Sequence, residues 1–297
     1  MTGAAAAPRT LRLHIGAHKT ASTHFDALIR ANQTLLDAEG VAYLPKMSAR
    51  RPLMRAIAHG IRGKSIPQDW LDVAAQYDAD RCLYVLEEQV IGECHFAGPR
   101  AGGLYPHAPE RVSVALKLLQ AAPEATEILL AVRSPDTFFP SAWCEAQLYR
   151  DTAPFLEWMG PARLHQPFWL RLIERIRDAV PEYRLTVWTY ESYAAHPAAF
   201  LPLVLGQAPG SIAAAAAVDD VVRPGPSAEA LDQIARRRAK GRTLDRERVA
   251  EILTRFPRGA TYPGPTFFSD AERAELRDAY ADDLARIGAL PGVTLLE

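Results

Sequence analysis

A lysine and three hydroxyl residues follow a glycine near the start of the chain, in a segment made of Gly16, Ala17, His18, Lys19, Thr20, Ala21, Ser22 and Thr23. Lys19 supplies a full positive charge, and the threonine and serine hydroxyls supply hydrogen-bond donors. Where such a segment leads from a strand into a helix, free backbone N–H groups and the positive end of the helix dipole face the turn. These residue types at this spacing therefore predict an anion-binding site.

The flanking sequence predicts the strand and the helix that this site needs. Apolar and polar residues alternate over residues 11–15, as in a strand. From Thr20 or Ser22 onward, apolar residues such as Phe25 and Leu28 recur on one helical face. The alternative is structural: the hydroxyls then cap the helix, and the lysine is merely solvated.

A second group suited to anion binding follows a later apolar run. Arg133 ends that run, and Ser141 follows eight residues later. An arginine can hold a phosphate through two parallel hydrogen bonds, to which the serine hydroxyl adds a third. A surface salt bridge is the alternative for Arg133 alone. Pro140 predicts that the helix breaks or restarts just before Ser141.

Strand patterns alternate with helical patterns over the first two thirds of the chain. The strands are predicted at residues 11–15, 41–44, 81–86, 127–132 and 184–189. This alternation predicts an α/β fold with a central parallel sheet, in which the loops at the carboxyl ends of the strands line one crevice. Helices without further strands are predicted after residue 198, at 231–240, 246–256 and 270–287.

The predicted organisation is a disordered tail over residues 1–10 and a single domain over 11–297. Within that domain, an α/β core of about 11–195 is followed by a helical C-terminal cap of about 196–297. The formal net charge of -1 argues against general affinity for nucleic acid or an anionic membrane.

Composition narrows the class of protein further. No apolar run approaches the ~20 residues of a membrane helix, and the N-terminal residues lack the pattern of a signal peptide. The three cysteines have no metal-binding or disulfide spacing. We therefore expect a soluble, cytoplasmic protein without a membrane span or a nucleic-acid partner.

The first segment resembles the 5′-phosphosulfate loop of sulfotransferases that use 3′-phosphoadenosine 5′-phosphosulfate (PAPS), many bacterial members of which read close to H-I-G-x-H-K-T-G-T-T. Ala21 replaces the usual glycine, and Ser22 replaces a threonine. The second group, with Arg133 and Ser141, resembles the 3′-phosphate site of the same family. The nucleotide-triphosphatase pattern G-x-x-x-x-G-K-[ST] does not fit, because Lys19 comes only three residues after Gly16.

The resemblance implies a P-loop-like, three-layer α/β fold and a PAPS-dependent sulfotransferase. The sulfuryl group would move in line to a hydroxyl or amine of an acceptor, with a carbohydrate or a small molecule favoured. Residues 16–23 with Arg133 and Ser141 would bind PAPS, and Lys19 would stabilise charge on the bridging oxygen. The arrangement requires no metal.

The resemblance also suggests a general base. Glu88 follows the strand predicted at residues 81–86 and matches a glutamate that related bacterial sulfotransferases often carry after the corresponding strand. By this resemblance, Glu88 would take the proton of the acceptor. Glu87, His95 and His107 are the alternative bases. The basic interval Arg236–Arg258 is either a solvated helical face or a surface that closes over the 3′-phosphate.

Two other functions stay open at this point. One is a metal-dependent P-loop ATPase or kinase, in which Glu87 would bind magnesium. The other is a non-catalytic protein that has kept the nucleotide pocket. Neither the acceptor nor the oligomeric state follows from the sequence.

Overall fold

The central sheet has six parallel strands. The structure is a computed structural model and describes residues 9–77, 81–93, 104–159, 167–208, 210–211 and 225–296. The strands are β1 (Arg9–His14), β2 (Val41–Leu44), β3 (Cys82–Leu86), β4 (Ala121–Val132), β5 (Arg184–Thr189) and β6 (Val293–Leu296). Their order is β2-β3-β1-β4-β5-β6, and every neighbouring pair is parallel.

Twelve α-helices accompany these strands in the described part of the chain. They are α1 (Ser22–Ala31), α2 (Gln33–Ala38), α3 (Lys46–Ile61), α4 (Gln68–Ala74), α5 (Ala108–Leu118), α6 (Pro135–Tyr149), α7 (Phe155–Met159), α8 (Phe168–Ala179), α9 (Tyr190–Ala195), α10 (Ala228–Ala239), α11 (Arg246–Arg255) and α12 (Asp270–Gly288). Short 3₁₀ helices lie at Glu88–Ile91 and Pro197–Leu205.

Both faces of the sheet are covered, because alternate strand residues point to opposite sides. Leu13, Val85 and Leu130 pack with α3, α5, α6, α8 and α12 on one side. Tyr84 and Leu129 pack with α1, α2, α9 and the second 3₁₀ helix on the other side. The predicted α/β class with a parallel central sheet is confirmed.

The strand order places the site. β1 lies between β3 and β4, so the direction in which the chain adds strands reverses at β1. In open α/β sheets, ligands bind at such a reversal, beyond the carboxyl ends of the strands. The segments that follow β1, β3 and β4 therefore meet at one edge of the sheet.

Two details differ from the sequence analysis. Strand β6 is not predicted from the sequence, since it is only four residues long and partly exposed. Helix α6 runs through Pro140 without the predicted break before Ser141. The proline removes one backbone hydrogen bond, and buried side chains on both sides of it, such as Phe139 and Ala142, hold the helix against the core.

Candidate active site

The loop between β1 and α1 has an unusual backbone. Lys19 and Ala21 have positive φ angles of 62° and 63°. Gly16 has a φ of 113°, and a Cβ atom on it would lie 3.0 Å from the Cβ of Glu88. The loop is thus packed closely against the segment that follows β3, and it turns sharply enough to bring α1 in directly behind it.

Part of the loop forms one wall of a cavity of about 350 Å³, to which it contributes His18, Lys19, Ala21, Ser22 and Thr23. The backbone N–H of Phe25 is bonded to the carbonyl of Ala21, so the N–H groups of the preceding helical residues are left for a ligand at the helix start. The predicted loop is therefore open to the cavity on its lysine side.

Ala17 and Thr20, in the same loop, are buried and hold this surface in place through hydrogen bonds. Ala17 is fully buried, and its N–H donates to the carbonyl of Ala131 on β4. Thr20 is buried and its hydroxyl donates to the carbonyl of Ala17 at 2.6 Å. The Thr20 hydroxyl, which is predicted to donate to a bound anion, donates within the loop in this structure.

Arg133 joins the two predicted anion sites. Its Nη1 donates to the carbonyl of Lys19 at 2.7 Å, and its Nε donates to the hydroxyl of Thr137 at 2.9 Å. The guanidinium carbon lies 4.3 Å from the centre of the Tyr190 ring. Arg133 and Ser141 both line the loop cavity and the larger cavity beside it. The structure thus brings both motifs into one cleft.

The larger cavity, of about 720 Å³, is rich in positive charge. Its charged lining residues are Lys19, Arg133, Asp136, Glu145, Arg258, Arg273 and Arg277. Arg277 is bonded to Asp136 at 3.0 Å. Five cations against two carboxylates make this part of the cleft attractive to a polyanion.

Part of the basic interval Arg236–Arg258 is exposed helix surface, and part of it reaches the cleft. Arg258 lines the larger cavity. Arg236 and Arg248 form exposed ion pairs within their own helices, and Arg238 donates to carbonyl groups near the end of α6. Most of the interval that is described is thus helix surface or structural support, and one arginine reaches the cleft.

The loop lysine has a partner that the sequence analysis did not identify. The Nζ of Lys19 lies 3.0 Å from a carboxylate oxygen of Glu145 on α6, and about a third of each side chain is exposed. Glu145 lines both cavities. The available signal was its position one helical turn after Ser141, which places both residues on the same face of a helix.

The acidic pair after β3 is held by cations from α3. Glu88 is bonded to Lys46 Nζ at 2.6 Å and to Arg50 at 2.9 Å. The fully buried Glu87 is bonded to Arg50 at 2.9 Å and to the N–H of Gln89 at 2.9 Å. Burial raises the pKa of Glu87. The pKa of Glu88 is also pushed up by burial, but Lys46 and its other cationic neighbours outweigh this effect and lower it to about 2.

These contacts do not fit the predicted role of Glu88 as a general base. A carboxylate that two cations already neutralise, with a pKa of about 2, has little tendency to take up a proton at neutral pH. Glu88 lines the loop cavity, as predicted, but its charge is directed at Lys46 and Arg50.

The histidines considered as bases have different positions. His95 lies outside the described residues. His107 is exposed just before α5 and is not among the residues that line the two cavities. His18 is buried against Tyr105, whose hydroxyl lies 3.1 Å from its Nδ1, and burial lowers the pKa of His18 to about 4. His18 is therefore neutral at pH 7.

The metal-dependent alternative requires side chains that are placed to bind a metal ion. Within the described residues, no three His, Cys, Asp or Glu side chains come together in a way that could hold a metal ion. Glu87, the proposed magnesium ligand of an ATPase, is 0% exposed and bonded to Arg50. None of the described helices is both long and apolar enough to cross a membrane.

Comparisons with known proteins give similarity in structure alone. No family model and no curated protein matches the chain. The chain is similar to a crystal structure of a sulfotransferase from Alicyclobacillus acidocaldarius, with 13% identity, 95% of each chain covered and a TM-score of 0.44. It is also similar to retinol dehydratase in complex with androsterone and the inactive cofactor PAP, with 10% identity, coverage of 93% of this chain and 81% of that one, and a TM-score of 0.35. With similarity this distant, function has to be argued from the site.

Proposed function

We propose that this protein is a PAPS-dependent sulfotransferase. The observation that carries the proposal is that the two predicted anion sites meet in one cleft, where Arg133 donates to the backbone of the lysine loop and lines the same cavities as Ser141. PAPS has two separate anionic ends, the 5′-phosphosulfate and the 3′-phosphate. A cleft with two linked anion sites matches that distribution of charge.

The donor would lie across the junction. The 5′-phosphosulfate would bind at the start of α1, close to Lys19, Ser22 and Thr23, and the 3′-phosphate would bind Arg133 and Ser141. Arg258 faces the same cavity as this second pair and is suited to add to its positive charge. Fixed N–H groups and cations hold a polyanion without the reorganisation that water would need.

The chemistry is transfer of the sulfuryl group to an acceptor hydroxyl or amine, and a carbohydrate or a small molecule is the favoured acceptor. The acceptor oxygen or nitrogen forms a bond to sulfur as the bond from sulfur to the bridging oxygen breaks. Lys19 stabilises the charge that develops on that bridging oxygen. Positioning and charge stabilisation supply most of the rate increase, as they do in phosphoryl transfer.

Binding of the product nucleotide tests the proposal without an acceptor. We expect 3′-phosphoadenosine 5′-phosphate (PAP) to raise the unfolding temperature in the presence of EDTA. A ligand present at ~100 times its Kd, and bound only by the folded protein, adds roughly 2.7 kcal/mol of stability. ATP, which has no 3′-phosphate, should give a smaller shift.

A matched pair of variants checks where PAP binds. Arg133→Ala should weaken PAP binding by about 1.5–3 kcal/mol in calorimetry, because a charge-assisted contact is lost. Arg242→Ala removes an exposed arginine that lines neither cavity and should leave the affinity unchanged. No binding of PAP by the unmodified protein would refute the proposed function, and a magnesium-dependent preference for ATP would favour an ATPase.

A further inference from the structure

Glu145 is a carboxylate that lines both cavities of the cleft and takes no part in the steps proposed above. It stands one turn after Ser141 on α6, and it is the acidic residue that lines the loop cavity together with Glu88. It also lines the larger cavity, which Glu88 does not. Glu145 therefore lies where the loop and the open cavity meet.

The two glutamates differ in how their charge is used. Glu88 is buried and bonded to two cations of α3. Glu145 has one ion-pair partner in the described part of the chain, Lys19, and 34% of its side chain is exposed. An acceptor that enters the cleft can reach Glu145, whereas Glu88 is covered by its own partners.

During the proposed reaction, Lys19 must exchange its ion pair with Glu145 for a contact with the donor. In the proposed mechanism, Lys19 binds the phosphosulfate and stabilises the leaving oxygen. Since Lys19 Nζ is 3.0 Å from Glu145 in the protein without ligand, a bound phosphosulfate competes with Glu145 for the same ammonium group. Donor binding thus releases a carboxylate close to the group that is to be transferred.

We infer, resting on the proposed function, that Glu145 is the general base and that PAPS binding frees it from Lys19. The acceptor O–H gives its proton to the Glu145 carboxylate as its oxygen bonds to sulfur. The electron pair of the broken bond stays on the bridging oxygen of PAP, next to Lys19. A carboxylate held within reach of the acceptor contributes to the rate through general base catalysis.

The charges around the cleft argue against an anionic acceptor. The five cations and two carboxylates of the larger cavity leave three net positive charges, and the phosphate and phosphosulfate groups of PAPS bring about four negative charges. No excess of positive charge then favours an anionic acceptor.

Glu145→Gln tests the inference with two measurements. The first is PAP affinity by calorimetry, and the second is release of labelled inorganic sulfate from PAPS, with water as the probe acceptor. We expect PAP to bind as tightly as before or more tightly, because no ion pair has to be broken. Sulfate release should fall by roughly 10²–10⁴-fold. Glu145→Asp keeps the carboxylate and should recover part of the rate.

Glu157→Gln is the matched control, since this exposed glutamate on α7 lines neither cavity and should match the unmodified protein in both measurements. Sulfate release at the unmodified rate in Glu145→Gln would overturn the inference. So would a large loss of PAP affinity or failure to fold, because Glu145 would then be a nucleotide ligand or a structural residue. If the unmodified protein binds PAP but releases no sulfate above the buffer rate, the inference also fails. Absence of PAP binding would instead refute the proposed function.

Discussion

The lysine loop after β1 and the acidic pair after β3 lie side by side at the edge of the sheet, yet their charges are treated in opposite ways. The loop is open: Lys19 reaches the cleft, and its ion pair with Glu145 is about one third exposed. The acidic pair is closed: Glu87 and Glu88 are buried, and Lys46 and Arg50 bind them from α3.

This difference distinguishes residues that can bind a ligand from residues that hold the loop in place. A charge that is open to the cleft can exchange its partner for a ligand, whereas a buried pair would have to leave a cation uncompensated. The closed cluster also touches the open loop, because Lys46 Nζ lies 3.3 Å from the Ser22 hydroxyl. We infer that the acidic pair holds the loop in place and that the chemistry belongs to the loop side.

The largest expected effect is on stability, at Glu88. Glu88→Gln removes the charge that neutralises Lys46 in a buried environment, and breaking such a pair costs about 3–5 kcal/mol. Lys19→Met breaks a partly exposed pair and should cost about 0–1 kcal/mol. Urea unfolding of both variants measures the difference directly.

The same two variants should show the opposite order in PAP binding. Lys19→Met removes a cation from the proposed site and should weaken PAP binding, whereas folded Glu88→Gln should bind PAP nearly as well as the unmodified protein. If Glu88→Gln keeps full stability but loses sulfuryl transfer, the acidic pair is catalytic after all and the comparison fails.

Acid should destabilise the fold before Glu88 is protonated. Burial lowers the pKa of His14 to about 3 and that of His18 to about 4, from 6.5. Both histidines are neutral in the folded protein and take up protons on unfolding, so stability is lost as pH falls below about 6.5. Burial raises the pKa of Asp283 from 3.8 to about 6, which has the opposite sign over part of this range.

The expected net loss between pH 7 and pH 5 is about 2 kcal/mol, from linkage between protonation and folding. Urea unfolding at pH 7, 6 and 5 measures it. Burial also raises the pKa of Glu87, which opposes the loss in the same way. Asp283→Asn removes one of these two opposing contributions, so the loss in that variant should be larger. Below about pH 4.5, a further loss is expected as Glu88, whose pKa is lowered to about 2 in the fold, would be protonated in the unfolded chain. Stability that rises from pH 7 to pH 5 would contradict the assignment of neutral, buried histidines.

The fold was largely predictable because its signals are local. Continuous apolar runs predicted the strands β2 to β5. Turn residues after these runs predicted that the functional segments lie at the carboxyl ends of the strands. Strand β6 has no comparable signal, since it is short, partly exposed and follows a long helix.

The turn from strand to helix at the lysine loop was predictable for a similar reason, because its signal lies within eight consecutive residues. The partners of the acidic pair were not, because they belong to another element. Lys46 and Arg50 lie on α3, which begins directly after Pro45, far from the acidic pair in the sequence. Glu145 was likewise missed, because only the packing of α6 against the loop places it next to Lys19.

The smallest expected effect sharpens the view of the loop as a strained, open turn. Ala21 has a φ of 63°, a region where a side chain costs roughly 1–2 kcal/mol. Ala21→Gly removes that cost, while the greater freedom of glycine in the unfolded chain takes back about 0.4–1 kcal/mol. We therefore expect urea unfolding to show that Ala21→Gly raises the free energy of unfolding by about 0–1.6 kcal/mol. Gly40→Ala is the reverse control, because Gly40 has a φ of 68° and no atom within 4 Å of an added Cβ. It should lose stability through the backbone alone. If Ala21→Gly is destabilising while Gly40→Ala behaves as expected, the Ala21 methyl group makes packing contacts that outweigh the strain, and the loop is held more tightly than its open position suggests.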